Sequence, residues 1–393
     1  MSSKLILPGA TLGVMGGGQL GRMFVQAAQE MGYFTAVLDP DVTSPAGLVA
    51  HYHIETGYLD EQGLAQLMQR SDAITTEFEN VPAGALVTLG AHRPVAPTAD
   101  TVAICQDRAT EKAQFRRSGV PCAPFALIDT PERLAAVADD LLPGILKTAR
   151  MGYDGKGQMR VADRAELAAA WAALGQLPCV LEKLLPLALE LSVVVARSAA
   201  GSVVSLPVQQ NLHRDGILAV TQVPAPDASP AIQQQAADAA AALAEAMHYV
   251  GVLCVEFFVL AEDLPGLAGR LVANEMAPRP HNSGHWSIDG ADISQFELQV
   301  RTLANLPLVA PRQHSAAVML NLLGELWFAG GGAEKSPPWP QVLALPGTHL
   351  HLYGKTSARP GRKMGHLTVT AATPAQARAT ALQAAALLGL PAF

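Results

Sequence analysis

Along the first hundred residues, short apolar runs alternate with amphipathic stretches. Thr11–Met15 reads as a buried strand, Gln19–Met31 as a helix with one apolar face, and Phe34–Leu38 as a second strand ending at Asp39. Ala73–Thr76 is a further strand, ending at Glu77. Strand and helix in alternation predict parallel βαβ units with right-handed crossovers. Sites in such sheets gather at the carboxyl ends of strands, where Gly16–Gly21, Asp39 and Glu77 all fall.

The pattern then changes. Arg108–Ser118 is a charged helix, and Val120–Pro124 is an extended connector that proline holds out of helix. Strand-like runs follow at Gly144–Thr148, Cys179–Lys183 and Leu191–Ala196, with the helix Arg164–Leu174 among them. Ala231–His248 is an alanine-rich helix, and Val252–Val259 and Arg270–Met276 are strands flanking a turn at Pro265–Gly269. A Gly/Pro-rich loop at 330–340 opens a last small unit of strand, basic loop (Tyr353–Gly365), strand (His366–Thr370) and helix.

Composition narrows the function classes. The 393 residues suffice for two or three cored domains, and 50% hydrophobic with 16% charged residues is a globular balance. The net charge of -7, with no Lys/Arg block, excludes the concentrated basic surface that a nucleic-acid backbone needs. No uninterrupted apolar run reaches a membrane-spanning length, and the N-terminus lacks a cleavable signal pattern, so a soluble cytoplasmic protein is expected. The four scattered cysteines contain no CxxC pair and read as reduced thiols.

Five segments carry chemistry. Gly16–Gly21 holds a GxGxxG after a strand and opening a helix, with Asp39 beyond it. Alone, it suits a dinucleotide, the phosphate of another ligand, or plain tight-turn packing. The second segment runs from Lys147 through Gly152, Tyr153, Asp154, Gly155, Lys156 and Gly157 to Gln158. A lysine ending a strand before a glycine-rich loop can cover a triphosphate with amides and positive charge. It is not a P-loop, and a flexible hairpin tip is the plainer alternative. Third, Glu182 and Glu190 flank a turn, and Glu256 and Glu275, with Asn274 adjacent, sit on two later strands. Glu256 interrupts an apolar run, where a carboxylate needs a cation, so the pair suits Mg²⁺ or a buried ion pair with arginine. Fourth, Arg279 between two prolines is a stiffened cation for phosphate or carboxylate, followed by His281, Asn282 and His285. Ser-Gly between those histidines argues against a helical zinc pair. Fifth, Lys355, Arg359, Arg362 and Lys363 surround a Pro-Gly turn, forming an anion pocket if they converge and a solvated loop if they do not.

Taken in order, GGGQLGRM (16–23), TTEFENV (75–81), GYDGKGQ (152–158), NLHRDGI (211–217), NEMAPRPHNSGHW (274–286) and YGKTSARPGRKMGH (353–366) resemble the ATP-grasp superfamily. More narrowly, they resemble its ATP-dependent 5-(carboxyamino)imidazole ribonucleotide synthases of purine biosynthesis. The resemblance implies an α/β and α+β architecture. A Rossmann-like domain spans 1–107, an ATP-grasp domain 108–310 with a lid at about 121–188, and a small β-rich domain 311–393. It implies ATP contacts from Arg108, Lys147, Gly152, Gly155, Gly157, Gln158, Glu182, Lys183, Leu185, Glu190, His213 and Asn274, and Mg²⁺ (or Mn²⁺) on Glu256 and Glu275. The ribonucleotide would meet Gly18, Gln19, Leu20, Glu77, His281, Asn282, Lys355 and Arg362, with Tyr153, Asp154, Lys156 and Arg279 at the reacting centre. Neither NAD nor biotin is implied. The implied substrates are ATP, bicarbonate and aminoimidazole ribonucleotide, and the implied assembly is a homodimer. The chain departs from the family at Leu184, Leu187 and Leu189, where aromatic residues are common, and this bears on the adenine pocket.

Rival readings make different demands. A formate-dependent glycinamide ribonucleotide transformylase or a biotin carboxylase shares the architecture, but Asn282–Trp286 and the closing basic segment favour the synthase. An NAD(P)-dependent oxidoreductase built on Gly16–Gly21 leaves the 147–158 loop and the Glu256/Glu275 pair unexplained. A non-catalytic ATP-binding regulator would bind through the same residues without turnover.

Overall fold

The computed structural model describes residues 4–152, 157–328 and 334–393. Tyr153, Asp154, Gly155 and Lys156 of the expected site lie outside the described residues, as does 330–333 of the Gly/Pro loop.

Four parallel strands build the first sheet, in the order β3-β2-β1-β4: β1 (Thr11–Met15), β2 (Phe34–Leu38), β3 (Tyr52–Ile54) and β4 (Ala73–Thr76). Both faces are covered, as a parallel sheet requires. On one face Leu12, Val14 and Val37 pack with Leu20 and Phe24 of the helix Gln19–Glu30 and with Phe296 and Val300 of the helix Gln295–Leu303. The other face packs Met15, Leu38 and Ile74 on the helices at 61–70 and 83–90.

A small antiparallel sheet follows: β5 (Phe125–Ile128), β6 (Gly144–Thr148), β7 (Gln158–Val161) and β8 (Cys179–Lys183), ordered β5-β8-β6-β7. The helix Arg164–Ala173 covers it through Leu167 and Trp171. Pairing of β6 with β8 sets Ile145 opposite Glu182 and Lys147 opposite Val180, so Lys147 and Glu182 share one face.

Nine strands form the largest sheet: β9 (Leu187–Arg197), β10 (Val203–Ser205), β11 (Gln209–Arg214), β12 (Ile217–Val223), β13 (Gly251–Leu260), β14 (Leu271–Ala277), β15 (Ala316–Leu323), β16 (Thr348–Leu352) and β17 (Lys363–Ala371). Their order is β14-β13-β9-β11-β12-β15-β17-β16, with β10 on β9. The C-terminal strands thus continue the central sheet, because β15 pairs antiparallel with β12. Alternation along β9 sends Leu191, Val193 and Val195 toward the helix Pro230–Ala246 and Val194 and Ala196 toward Trp286. Each such fully buried aliphatic side chain contributes about 1.5–3 kcal/mol relative to exposure. No described helix is long and apolar enough to cross a membrane.

Candidate active site

The helix Arg108–Arg117 opens on Asp107, whose carboxylate accepts the amides of Ala109 (3.0 Å) and Thr110 (3.2 Å). Its 3- and 4-residue spacing puts Arg108, Glu111 and Lys112 on one face, toward β14 and β8. Arg108 Nη1 donates to Glu275 (3.0 Å), and the Met276 amide donates to Glu111 (2.5 Å). Glu182 lies between two ammonium groups, Lys147 Nζ at 3.0 Å and Lys112 Nζ at 3.2 Å. Burial pushes the Glu182 carboxyl up, but the two lysines outweigh it and hold it at about 2. Burial lowers Lys147 below the usual lysine range.

Antiparallel pairing of β13 with β14 sets Glu256 directly opposite Glu275, beside an irregularity in the register. Burial, and then the facing Glu275, push Glu256 up to about 7. For Glu275, burial is outweighed by Arg108 and Lys147, and the carboxyl falls below its ordinary value. A facing pair of carboxylates at a cavity wall, one of them raised by the other, is a donor set suited to a hard divalent cation that shares phosphate oxygens. Asn274 lies beside them on the same wall.

These groups line a cavity of about 500 Å³ between the small sheet and the large one. Arg108, Lys147, Gln158, Lys183, Glu190 and His213 also face it, and Leu185 closes one end with Ala123 and Ile145. His213 is bonded to Glu190, and that contact, with Glu256 near, raises its pKa against the effect of burial. Leu184 and Leu187 line the cavity with Phe258, whereas Leu189 does not.

A second cavity, about 670 Å³, lies at the carboxyl ends of β1 and β4. Gln19, Leu20, Glu77, Arg279, Lys355 and Arg362 line it, and Arg359 and Lys363 add to its positive wall. The four cations of the basic loop therefore converge. The two cavities adjoin, since His281, Asn282 and Lys363 line both.

The glycine loop is organised differently from an open anion cradle. Its amides are taken by the protein's own carboxylates: Gly17 by Asp39 (2.6 Å), Gly18 and Gly21 by Glu77 (3.0 and 3.3 Å). Asp39 is buried and also accepts from Tyr58 (2.6 Å), so it holds the turn and does not line this cavity. Gly16 is left-handed (φ +101°), and a Cβ on Gly18 would lie 2.5 Å from Glu77 Oε1. These contacts hold Glu77 in place, and burial raises its pKa.

Arg279 donates to Glu79 from Nε (3.1 Å) and Nη2 (2.6 Å). Burial would lower its pKa, but Glu79 raises it. His281 Nδ1 accepts from the Ser283 amide (3.3 Å), which leaves the ring proton on Nε2, 3.2 Å from Glu256. Burial and Arg279 push its pKa well down, so it is a neutral donor. His285 bonds Gln295 and packs against His366 (4.9 Å between rings). Asp289, His351 and His366 also cluster, but the two imidazoles stack at 4.5 Å and 14°, so their in-plane lone pairs cannot converge on one ion.

Residues 9–106 match the ribonucleotide synthetase preATP-grasp domain, 113–296 the ATP-grasp domain and 317–380 the phosphoribosylaminoimidazole carboxylase C-terminal domain. An N5-carboxyaminoimidazole ribonucleotide synthase of Brucella melitensis is 44% identical over 375 residues, covering 94% of this chain and 98% of the relative. The chain belongs to the N5-carboxyaminoimidazole ribonucleotide synthase family. Solved members superpose over nearly the whole chain. An ADP complex of such a synthetase is 38% identical with a TM-score of 0.89, covering 97% of this chain and 98% of that one. The Aspergillus clavatus synthase with ADP and 5-aminoimidazole ribonucleotide is 31% identical with a TM-score of 0.85, covering 97% and 98%. The sequence reading missed Lys112 and Glu79 as site-forming residues, whereas His285, Arg359 and Lys363 stood in the segments it singled out and all three line the second cavity.

Proposed function

We infer that the chain converts 5-aminoimidazole ribonucleotide, ATP and bicarbonate to N5-carboxyaminoimidazole ribonucleotide, ADP and phosphate. The observation that carries this reading is the junction of two cavities at His281, Asn282 and Lys363, one acidic and lysine-lined, the other cationic. A nucleoside triphosphate fits the first and a ribonucleotide phosphate the second, and the A. clavatus complex carries ADP and 5-aminoimidazole ribonucleotide together.

Arg108 and Lys147 would neutralise the triphosphate, which is what phosphoryl transfer asks of a protein. Glu256 and Glu275 would hold Mg²⁺ (or Mn²⁺), which supplies charge neutralisation at the transferred phosphoryl group when bound. Arg108 contacts Glu275 and His281 contacts Glu256, so a cation and a neutral N–H donor would stand beside the bound ion, facing the anions in the cavity. Bicarbonate attacks the γ-phosphate to form carboxyphosphate and ADP. Carboxyphosphate would then break down to CO₂ and phosphate beside the ribonucleotide's exocyclic amine, which attacks the CO₂ and loses a proton to give the carboxyamino product.

Arg279, in the wall of the second cavity beside His281 and oriented by Glu79, would bind the carboxyl-bearing anion. Lys355 and Arg362 would take the ribonucleotide phosphate and Glu77 a ribose hydroxyl, with Gln19 and Leu20 forming the wall and Gly18 acting behind it through its bond to Glu77. Tyr153, Asp154 and Lys156 enter only by resemblance, as the loop closing over both substrates and excluding water from carboxyphosphate. A homodimer is carried over from the family in the same way, and a cytoplasmic location rests on the sequence pattern alone.

The test is phosphate release with each substrate omitted in turn. Release that requires ATP, bicarbonate and aminoimidazole ribonucleotide together supports the reading, and release driven instead by formate with glycinamide ribonucleotide overturns it.

A further inference from the structure

One buried lysine next to the ATP cavity has no part in the chemistry above. Lys112 is fully buried, with no exposed surface. Its Nζ donates to the main-chain carbonyl of Asn274 at 3.0 Å and lies 3.2 Å from Glu182 Oε1. It does not line the cavity, whereas Glu182 and Lys147 do. The two carboxylate oxygens of Glu182 are therefore divided. Oε1 faces a lysine sealed in the protein, and Oε2 faces Lys147 at 3.0 Å, a lysine that opens on the ligand space.

We propose that Lys112 is the permanent counter-ion of Glu182 and so acts as a positioning residue that frees Lys147 to leave that carboxylate for the phosphates of ATP. The inference rests on the reading of this cavity as the ATP site. A buried carboxylate stripped of its only cation is strongly destabilised. With a single lysine, Glu182 would hold Lys147 and compete with ATP for it. With two, Lys147 can turn to a phosphate while Glu182 remains paired. The site also gains a fixed distance, because Lys112 ties Glu182 on β8 to the backbone of Asn274 on β14, one residue from Glu275. The small sheet and the metal-bearing strand are thereby joined at the point where the triphosphate would lie between them.

The role predicts a coupling that a packing role does not. Lys112→Met should raise the KM for ATP at least about 30-fold, with kcat altered less than about threefold and the ribonucleotide KM unchanged. Lys112→Arg should restore the ATP KM to within about fivefold. In a Glu182→Gln background, where no carboxylate competes for Lys147, adding Lys112→Met should change the ATP KM by less than about threefold. If Lys112→Met alone does not yield folded protein, the comparison of the double variant with Glu182→Gln carries the test, since the lysine and carboxylate are then removed together. An equal rise of ATP KM in both backgrounds, or no rise in either, overturns the proposal. Mg-ATP binding to the wild-type chain is measured first by calorimetry. Its absence refutes the ATP assignment itself, and its presence with no coupling between Lys112 and Glu182 refutes only the role of Lys112.

Discussion

Lys355 offers a pH dependence whose direction and size follow from its surroundings. Its ammonium donates to the Lys363 carbonyl (2.6 Å) within the wall formed with Arg359 and Arg362. Burial first, and Arg362 next, pull its pKa down to about 8. A lysine is charged below its pKa and neutral above it, so its attraction for a phosphate is present below about 8 and lost as pH rises. With that midpoint, about 90% of the side chains are charged at pH 7 and about 10% at pH 9, whereas an unperturbed lysine stays more than about 95% charged throughout. If only the charged form binds the ribonucleotide phosphate, apparent affinity falls about tenfold across this range, or about 1.4 kcal/mol. The phosphate's own second ionisation lies near 6, below the window. The assay is the ribonucleotide KM at pH 7, 8 and 9 under saturating ATP and bicarbonate. Lys355→Arg, charged throughout, should flatten the profile, and Lys355→Ala should flatten it at a uniformly higher KM. A wild-type KM that does not move between pH 7 and 9 would refute the reasoning.

Three further outcomes follow from the geometry. Glu275→Gln should lower kcat by at least about 100-fold, with the ribonucleotide KM little changed and Mn²⁺ binding weakened in a spin-resonance titration. Gly18→Ala puts a methyl group 2.5 Å from Glu77 Oε1, so Glu77 must move and the ribonucleotide KM should rise about tenfold, with the ATP KM unaffected. Asp60 accepts the Gly63 amide (2.7 Å) at the start of the helix 61–70, away from both cavities. Asp60→Ala should cost about 1 kcal/mol and lower the Tm by about 2–4 °C without changing kcat.

The alternation at the N-terminus was legible because each strand is a short apolar run and the helix at 19–30 carries a clear apolar stripe. Glu256 was legible because a carboxylate inside an apolar strand requires compensation, and Glu275 because it stands in a similar strand nearby. The hairpin β11–β12 was readable and passed over. Asp215-Gly216 between two apolar-polar alternations is a two-residue turn signal, and both residues take positive φ (50° and 78°). That hairpin carries His213 into the cavity. Other features lay beyond any local pattern. Lys112 looks like one more charge on a polar helix, and only the approach of β8 and β14 makes it a buried counter-ion. The partners of the glycine-loop amides are likewise distant, Asp39 and Glu77 lying 22 and 59 residues from the amides they accept. The joining of β15 to β12 links segments about a hundred residues apart, and local periodicity does not encode it.

On the proposed mechanism, the phosphate leaving ATP passes through an anhydride with bicarbonate at the junction of the two cavities. Turnover with ¹⁸O-labelled bicarbonate tests it most directly, with mass analysis of the inorganic phosphate formed. Phosphate carrying one oxygen from bicarbonate is the predicted result, and phosphate free of label under full turnover would contradict it.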